Sequence, residues 1–267
     1  MDLHDYRDVA ENYDRYLDVM YSVRDNYAGF REFYLELAKQ YGSGGVVDIA
    51  CGTGAVLLYL AEHGIMADGT DLSEEMCRVA ASKAEKMGLK LNIYPADMTK
   101  FCSGRKYSLA IIARSGFMHL PSPELQRAAL MNIREQLEDG GILTLNTFDP
   151  SPVFQEKQMA TDPEKDYVFQ LEYVNSEGYR EKIWNAISYD PVPQIMHGNW
   201  KFETFDAEGK KIGERIRPLT MRQTYRQEMR YLAELCGFEV MKVYSGYYGK
   251  EAGDELSGLV WLLRKKG

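Results

Sequence analysis

The chain has 267 residues, 45% hydrophobic and 27% charged, with a net charge of −8 and an isoelectric point near 5.2. That balance suits a globular protein with one substantial domain, or one domain carrying an insertion. It offers no broad basic face to a phosphate backbone, so nucleic acid is not an expected partner. The longest apolar stretches fall short of the roughly 18 residues of a membrane span. The amino-terminal M-D-L-H-D-Y-R-D lacks the basic and apolar regions of a secretory signal. A cytoplasmic protein without a membrane partner is the expectation. Cys51, Cys77, Cys102 and Cys236 stand singly, and His4, His63, His119 and His197 have no metal-binding spacing, so neither disulfide nor metal is expected.

In chain order, Tyr6, Val9, Ala10, Tyr13, Tyr16 and Leu17 recur at three- and four-residue steps and predict a helix, with a second over 27–41. From Gly44 strand-like and helix-like stretches alternate. Strands are predicted at 45–50, 66–70, 90–95, 107–113 and 141–148, and helices at 54–63, 73–87 and 122–138. Such alternation predicts a parallel sheet with helices on both faces. The first strand, V-V-D-I from Val46, breaks at once into A-C-G-T-G, where Gly52 and Gly54 let backbone approach a bulky ligand. The helix that follows would turn its free N–H groups toward that ligand.

Between about 150 and 220 the pattern changes to strand-like runs at 167–175, 179–189, 196–206 and 210–217, joined by turn residues. A helix over 221–236 and strands at 238–246 and 256–264 then resume the strand–helix alternation, so this antiparallel sheet is predicted as an insertion. The expected organisation is a helical segment over 1–43, an α/β core over 44–149, the β insert over 150–220 and the rest of the core over 221–267.

A dinucleotide fold would place a third glycine where this chain has Leu57. Asp71 ends the second strand and suits ribose hydroxyls of either cofactor type. Asp97 ends the third, where a carboxylate can accept an adenine amino group. The runs D-I-A-C-G-T-G from Asp48, T-D-L-S around Asp71 and A-D-M around Asp97 resemble the successive cofactor motifs of class I S-adenosylmethionine-dependent methyltransferases. V-A-E-N-Y-D from Val9 resembles the lid helix that precedes them, and G-G-I-L-T-L-N from Gly140 resembles their fifth strand.

That resemblance implies a Rossmann-like seven-stranded sheet whose last strand is antiparallel, with a substrate-covering insertion after the fifth strand. It implies S-adenosyl-L-methionine as cofactor. The expected reaction is transfer of its methyl group to nitrogen or oxygen of a small-molecule acceptor, by a monomer or homodimer. Ala50, Cys51 and Gly52 would line the methionine moiety, Asp71 would hold the ribose, and Asp97 with the Met98 backbone the adenine. Arg114 and Ser115 would lie beneath the cofactor. Tyr13, Asp48, Gly54, Leu72 and Met76 complete the expected cofactor set. Ala50 stands where the family often has glycine, and R-S-G-F from Arg114 replaces the N-P-P-Y type of nucleic-acid amino methyltransferases.

Several of these residues have a second reading. Asp48 can hold the loop rather than the ligand, Asp71 can precede a helix cap, and Asp97 can serve a turn. Tyr13 and Tyr16 can be helix-packing residues. His119 is the candidate general base, or else a residue that fixes its own loop. Tyr16, His119, Trp200 and Arg217 are the candidate acceptor residues, with Tyr189 and His197 nearby in the insert; strand alternation turns half of any such set away. Two rival functions are a non-catalytic S-adenosylmethionine-binding regulator and an NAD-dependent oxidoreductase, the latter disfavoured by Leu57 and Asp97.

Overall fold

The computed structural model describes residues 10–23, 29–149, 152–253 and 258–267. His4, Tyr6, Val9, Tyr27 and the start of the final strand at 256, on which expectations were placed, lie outside them. The core begins with β1 (Val46–Ile49), α3 (Ala55–Glu62), β2 (Ala67–Asp71), α4 (Glu74–Lys86), β3 (Ile93–Pro95) and β4 (Tyr107–Ile112). It continues through α5 (Pro123–Gln136) and β5 (Leu137–Phe148), and closes with α7 (Arg226–Leu235), β10 (Phe238–Ser245) and β11 (Gly258–Lys265). The strand order is β10-β11-β5-β4-β1-β2-β3, with β11 antiparallel to both neighbours and the rest parallel. This is the predicted seven-stranded arrangement.

Burial on both faces explains the legibility of the central strands. All four residues of β1 are buried, and Leu109, Ile111 and Ile112 of β4 are fully so. One face packs on α5 and α7 through Leu130, Ile133, Met229 and Trp261, and the other on α2 (Phe30–Tyr41) and α3. The absent third glycine has a physical counterpart across the interface. A Cβ on Gly69 of β2 would stand 2.5 Å from a Leu57 methyl. The strand supplies the space that a helix glycine supplies elsewhere, and Leu57 fills it.

The four-stranded antiparallel sheet runs β6 (Val168–Val174), β7 (Arg180–Asp190), β8 (Ile195–Phe205) and β9 (Lys211–Arg222) in order. Strand β9 continues five residues beyond the predicted strand end at 217, and α7 starts only at Arg226. The reason lies in Arg222, whose buried guanidinium bonds Gln126 of α5, Gln194 and Glu228 of α7 and so pins this sheet to the core. A short helix unforeseen from the sequence, α6 (Pro152–Met159), precedes the sheet with proline in its first turn.

Helix α1 (Tyr13–Val23) joins the two sheets. Tyr16 and Leu17 pack on Leu171, Tyr173, Ile183 and Phe202 of the antiparallel sheet. On its other side Asp14 accepts the Thr53 hydroxyl at 2.6 Å and pairs with Lys83 at 2.8 Å. One helix therefore touches both the glycine loop and the inserted sheet. No helix among the described residues is long and apolar enough to cross a membrane.

Candidate active site

A cleft opens at the carboxyl ends of β1, β2 and β4, where the strand order reverses and open α/β sheets take their ligands. Its empty space, mouth included, is about 970 Å³. Tyr13, Asp48, Ala50, Cys51, Gly52, Asp71, Leu72, Met76, Asp97, Met98, Arg114 and His119 all line it. Residues more than a hundred positions apart in sequence are thus brought to one surface.

The loop after β1 is shaped by left-handed backbone. Ala50, Gly52 and Gly54 have φ of 55°, 56° and 85°, a region that costs a residue with a Cβ. Space where a Gly52 Cβ would stand is open. The Ala50 methyl survives because a Cβ on Gly116 would stand only 3.0 Å from it, so a bare glycine faces the alanine. Asp71 accepts the Gly52 N–H at 2.8 Å on one oxygen and the Ser73 N–H at 2.9 Å on the other. Its carboxylate therefore ties the loop to β2 and starts α4, while remaining on the cleft wall.

Asp48 is 1% exposed. Burial raises its carboxyl to about 7, helped by the Asp71 charge and opposed by the Leu57 N–H and Arg114. Its Oδ1 has no hydrogen-bond partner among the described residues. Cys51 is buried in the same negative field and its thiol is pushed well above the usual range, so it is an inert wall. Asp97 is a different carboxylate. Burial opposes its ionisation, but the Thr99 N–H and hydroxyl and Lys100 outweigh that and hold it below the usual range.

The opposite wall comes from the exit of β4. Arg114 and Ser115 both adopt left-handed backbone, φ 53° and 64°, before a tight turn over Gly116–His119. The Arg114 guanidinium lies 5.3 Å from the centre of the Tyr13 ring, a cation–π contact that ties this wall to α1. His119 ends the turn, inside the cleft.

Five candidates do not line the cleft. Gly54 caps α3 and lies close to Ala80 of α4, a packing role. Ser115 is buried against Asn146. Tyr16 sits in the α1–sheet cluster, and Trp200 packs on the edge of that cluster. Arg217 is register-paired with Trp200 on the adjacent strand. Conversely, Ala55, Val56, Ser73, Ala96, Ala113, Gly116 and Leu120 line the cleft although the sequence did not single them out. Most neighbour a candidate in sequence, so adjacency was the available signal. No cluster of three or more metal-ligating side chains occurs among the described residues.

Residues 46–141 match the family model described as a methyltransferase domain. A methyltransferase-named protein of Geobacillus sp. (strain WCH70) is 25% identical over 246 residues, covering 90% of this chain and 93% of its own. The dTDP-3-amino-3,4,6-trideoxy-alpha-D-glucopyranose N,N-dimethyltransferase of Streptomyces venezuelae is 28% identical over 117 residues, 44% of this chain and 48% of that protein. Among solved structures, the CcbJ methyltransferase from Streptomyces caelestis superposes with a TM-score of 0.77 at 19% identity, covering all of both chains. The glycine loop, the acids closing the next two strands and the sheet order agree with these matches, which together support a class I S-adenosylmethionine-dependent methyltransferase.

Proposed function

We propose that this methyltransferase acts on nitrogen or oxygen of a small-molecule acceptor, with an amine the first class to test. The cleft's residues fit the cofactor. Asp48 Oδ1 is a buried acceptor awaiting a donor, the Gly52 surface is open, and the Asp71 carboxylate stands at the rim with two backbone donors already holding it in place. Bound there, S-adenosylmethionine supplies a methyl group on an activated sulfonium. Asp71 would take the ribose hydroxyls, Asp97 and the Met98 backbone the adenine, and Asp48 with the Ala50–Gly52 loop the methionine part.

The protein's contribution is then alignment and exclusion of water. Tyr13, Arg114 and His119 form the wall where an acceptor would meet the methyl, and His119 would take the proton that an amine or hydroxyl loses. The observation that carries this reading is the presence of His119 in the same cleft as Asp71 and Asp48. The amino-sugar substrate in the name of the Streptomyces venezuelae relative favours an amine. The net charge of −8 speaks against nucleic acid as acceptor, and a cytoplasmic small-molecule pool suits the composition.

We further propose that the antiparallel sheet covers the acceptor. Asn185, Trp200 and Arg217 form one cross-strand row, so their side chains share a face. That face packs on α1 at one end, through Phe202 and Ile183, and on Met118 beside His119 at the other, through Tyr189, Met196 and Met221. The row lies between these two supports. Incubating the protein with methyl-labelled S-adenosylmethionine and panels of amino sugars, amines and phenols tests the reading by mass spectrometry. Label on a small-molecule amine or hydroxyl is expected; label only on protein or nucleic acid would sink it.

A further inference from the structure

Asn146 sits in β5, an interior strand of the seven-stranded sheet, where asparagine is a poor strand former and a buried amide costs free energy unless bonded. Its side chain is spent on one residue of the adjacent strand's exit. Oδ1 accepts the Ser115 N–H at 2.7 Å, and Nδ2 donates to the Ser115 hydroxyl at 3.1 Å. Both residues are buried, 7% and 6% exposed. A planar amide offers an acceptor and a donor side by side, which neither an ionised aspartate nor a leucine of similar size can do.

Ser115 is the second of two consecutive non-glycine residues in left-handed backbone. Strain of this kind persists only where surrounding structure over-determines it. Two devices do so here: the Asn146 grip, and Gly116 lying flat against Ala50. From Ser115 the chain turns tightly, the Met118 N–H returning to the Ser115 carbonyl at 2.9 Å, and reaches His119 within four residues. Arg114 on one side of Ser115 and His119 on the other both line the cleft.

We propose that Asn146 is a positioning residue for methyl transfer: by holding Ser115 at its N–H and its hydroxyl it fixes the left-handed pair, and so the direction in which Arg114 and His119 enter the cleft. This rests on the reading of that wall as the acceptor side. Asn146 itself does not touch the cleft.

The test compares Asn146→Ala, Ser115→Ala and the double variant Asn146→Ala/Ser115→Gly with wild type. Two readouts are taken: calorimetry with S-adenosylhomocysteine as the probe, and the NMR titration of the His119 imidazole, assigned by its loss in His119→Gln. Asn146→Ala is expected to bind the probe within about threefold of wild type, well under the tenfold that 1.4 kcal/mol represents. It should shift the His119 midpoint by at least about 0.5 pH unit, the scale of a changed neighbour or hydrogen bond. Ser115→Ala keeps the backbone bond and should shift it less. The double variant should return part of the way, because glycine takes positive φ without strain. An unchanged His119 titration in folded Asn146→Ala overturns the proposal. So does an Asn146→Ala that fails to fold while Ser115→Ala leaves His119 untouched. If wild type itself binds no probe, the cofactor assignment fails, and the titrations in ligand-free protein still judge Asn146.

Discussion

Asp48 sets function against stability at a single carboxyl. Its folded value of about 7 lies above the unfolded 3.8, so the folded state keeps a proton that the unfolded chain gives up. The contribution is fully present below pH ~4 and is lost as pH rises through about 7, amounting to about 4 kcal/mol at most. Asp48→Asn retains an oxygen for the Leu57 N–H and removes the loss. Its melting temperature should exceed that of wild type at pH 8 by more than at pH 5, while its affinity for S-adenosylmethionine falls. Parallel pH curves for the two proteins would contradict this. Asp71→Ala tests the neighbouring carboxylate: it should lose about 1.5–3 kcal/mol of cofactor binding, the scale of hydrogen bonds to a charged acceptor, and calorimetry reads it directly. What the sequence did not disclose at this scale is backbone strain. Ala50, Arg114 and Ser115 adopt conformations for which glycine is the usual sign, and their supports, Gly116 and Asn146, are set by tertiary contact.

At the scale of elements, α1 is held by charge on one side and by apolar packing on the other. Asp14 joins Thr53 of the glycine loop and Lys83 of α4, so loosening it should free α1 more than it unfolds the protein. Asp14→Ala should hasten protease cleavage ahead of β1 and blunt the protection that S-adenosylhomocysteine gives, with little change in melting because the pair is partly exposed. Equal cleavage with and without ligand in wild type would mean that α1 is a fixed strut. Deleting residues 1–20 would be a harsher test, since it would also uncover Leu171, Tyr173 and Phe202. Strands β1, β4 and β5 were legible because buried central strands are rich in apolar and β-branched residues, β2 because strand–helix alternation brackets it, and those of the insert because turn residues punctuate them. The end of β9 was not: Met221 and Arg222 look like a helix start, and only Arg222's bonds to α5 and α7 explain why the strand persists.

For the molecule as a whole, two sheets share one helix and one turn, and under the proposed function this would separate cofactor from acceptor recognition. Trp200→Ala or Arg217→Ala should raise the acceptor KM while leaving cofactor affinity within about twofold, provided folding is intact. Equal loss of both would make that row a structural support. The order in which the large sheet is completed has a further consequence. Strand β11 pairs β5 along its length, yet Gly258 follows its partner Phe148 by about 110 residues. At roughly 5–20 residues per second of synthesis, the apolar edge of β5 waits some 5–20 seconds for its cover. During that interval the nascent chain offers an open strand edge, the feature that other chains pair with and aggregate upon. Destabilising substitutions in β11 should therefore lower soluble yield during expression by more than their effect on the finished protein's melting temperature, and supplying a chaperone that shields apolar edges should restore it.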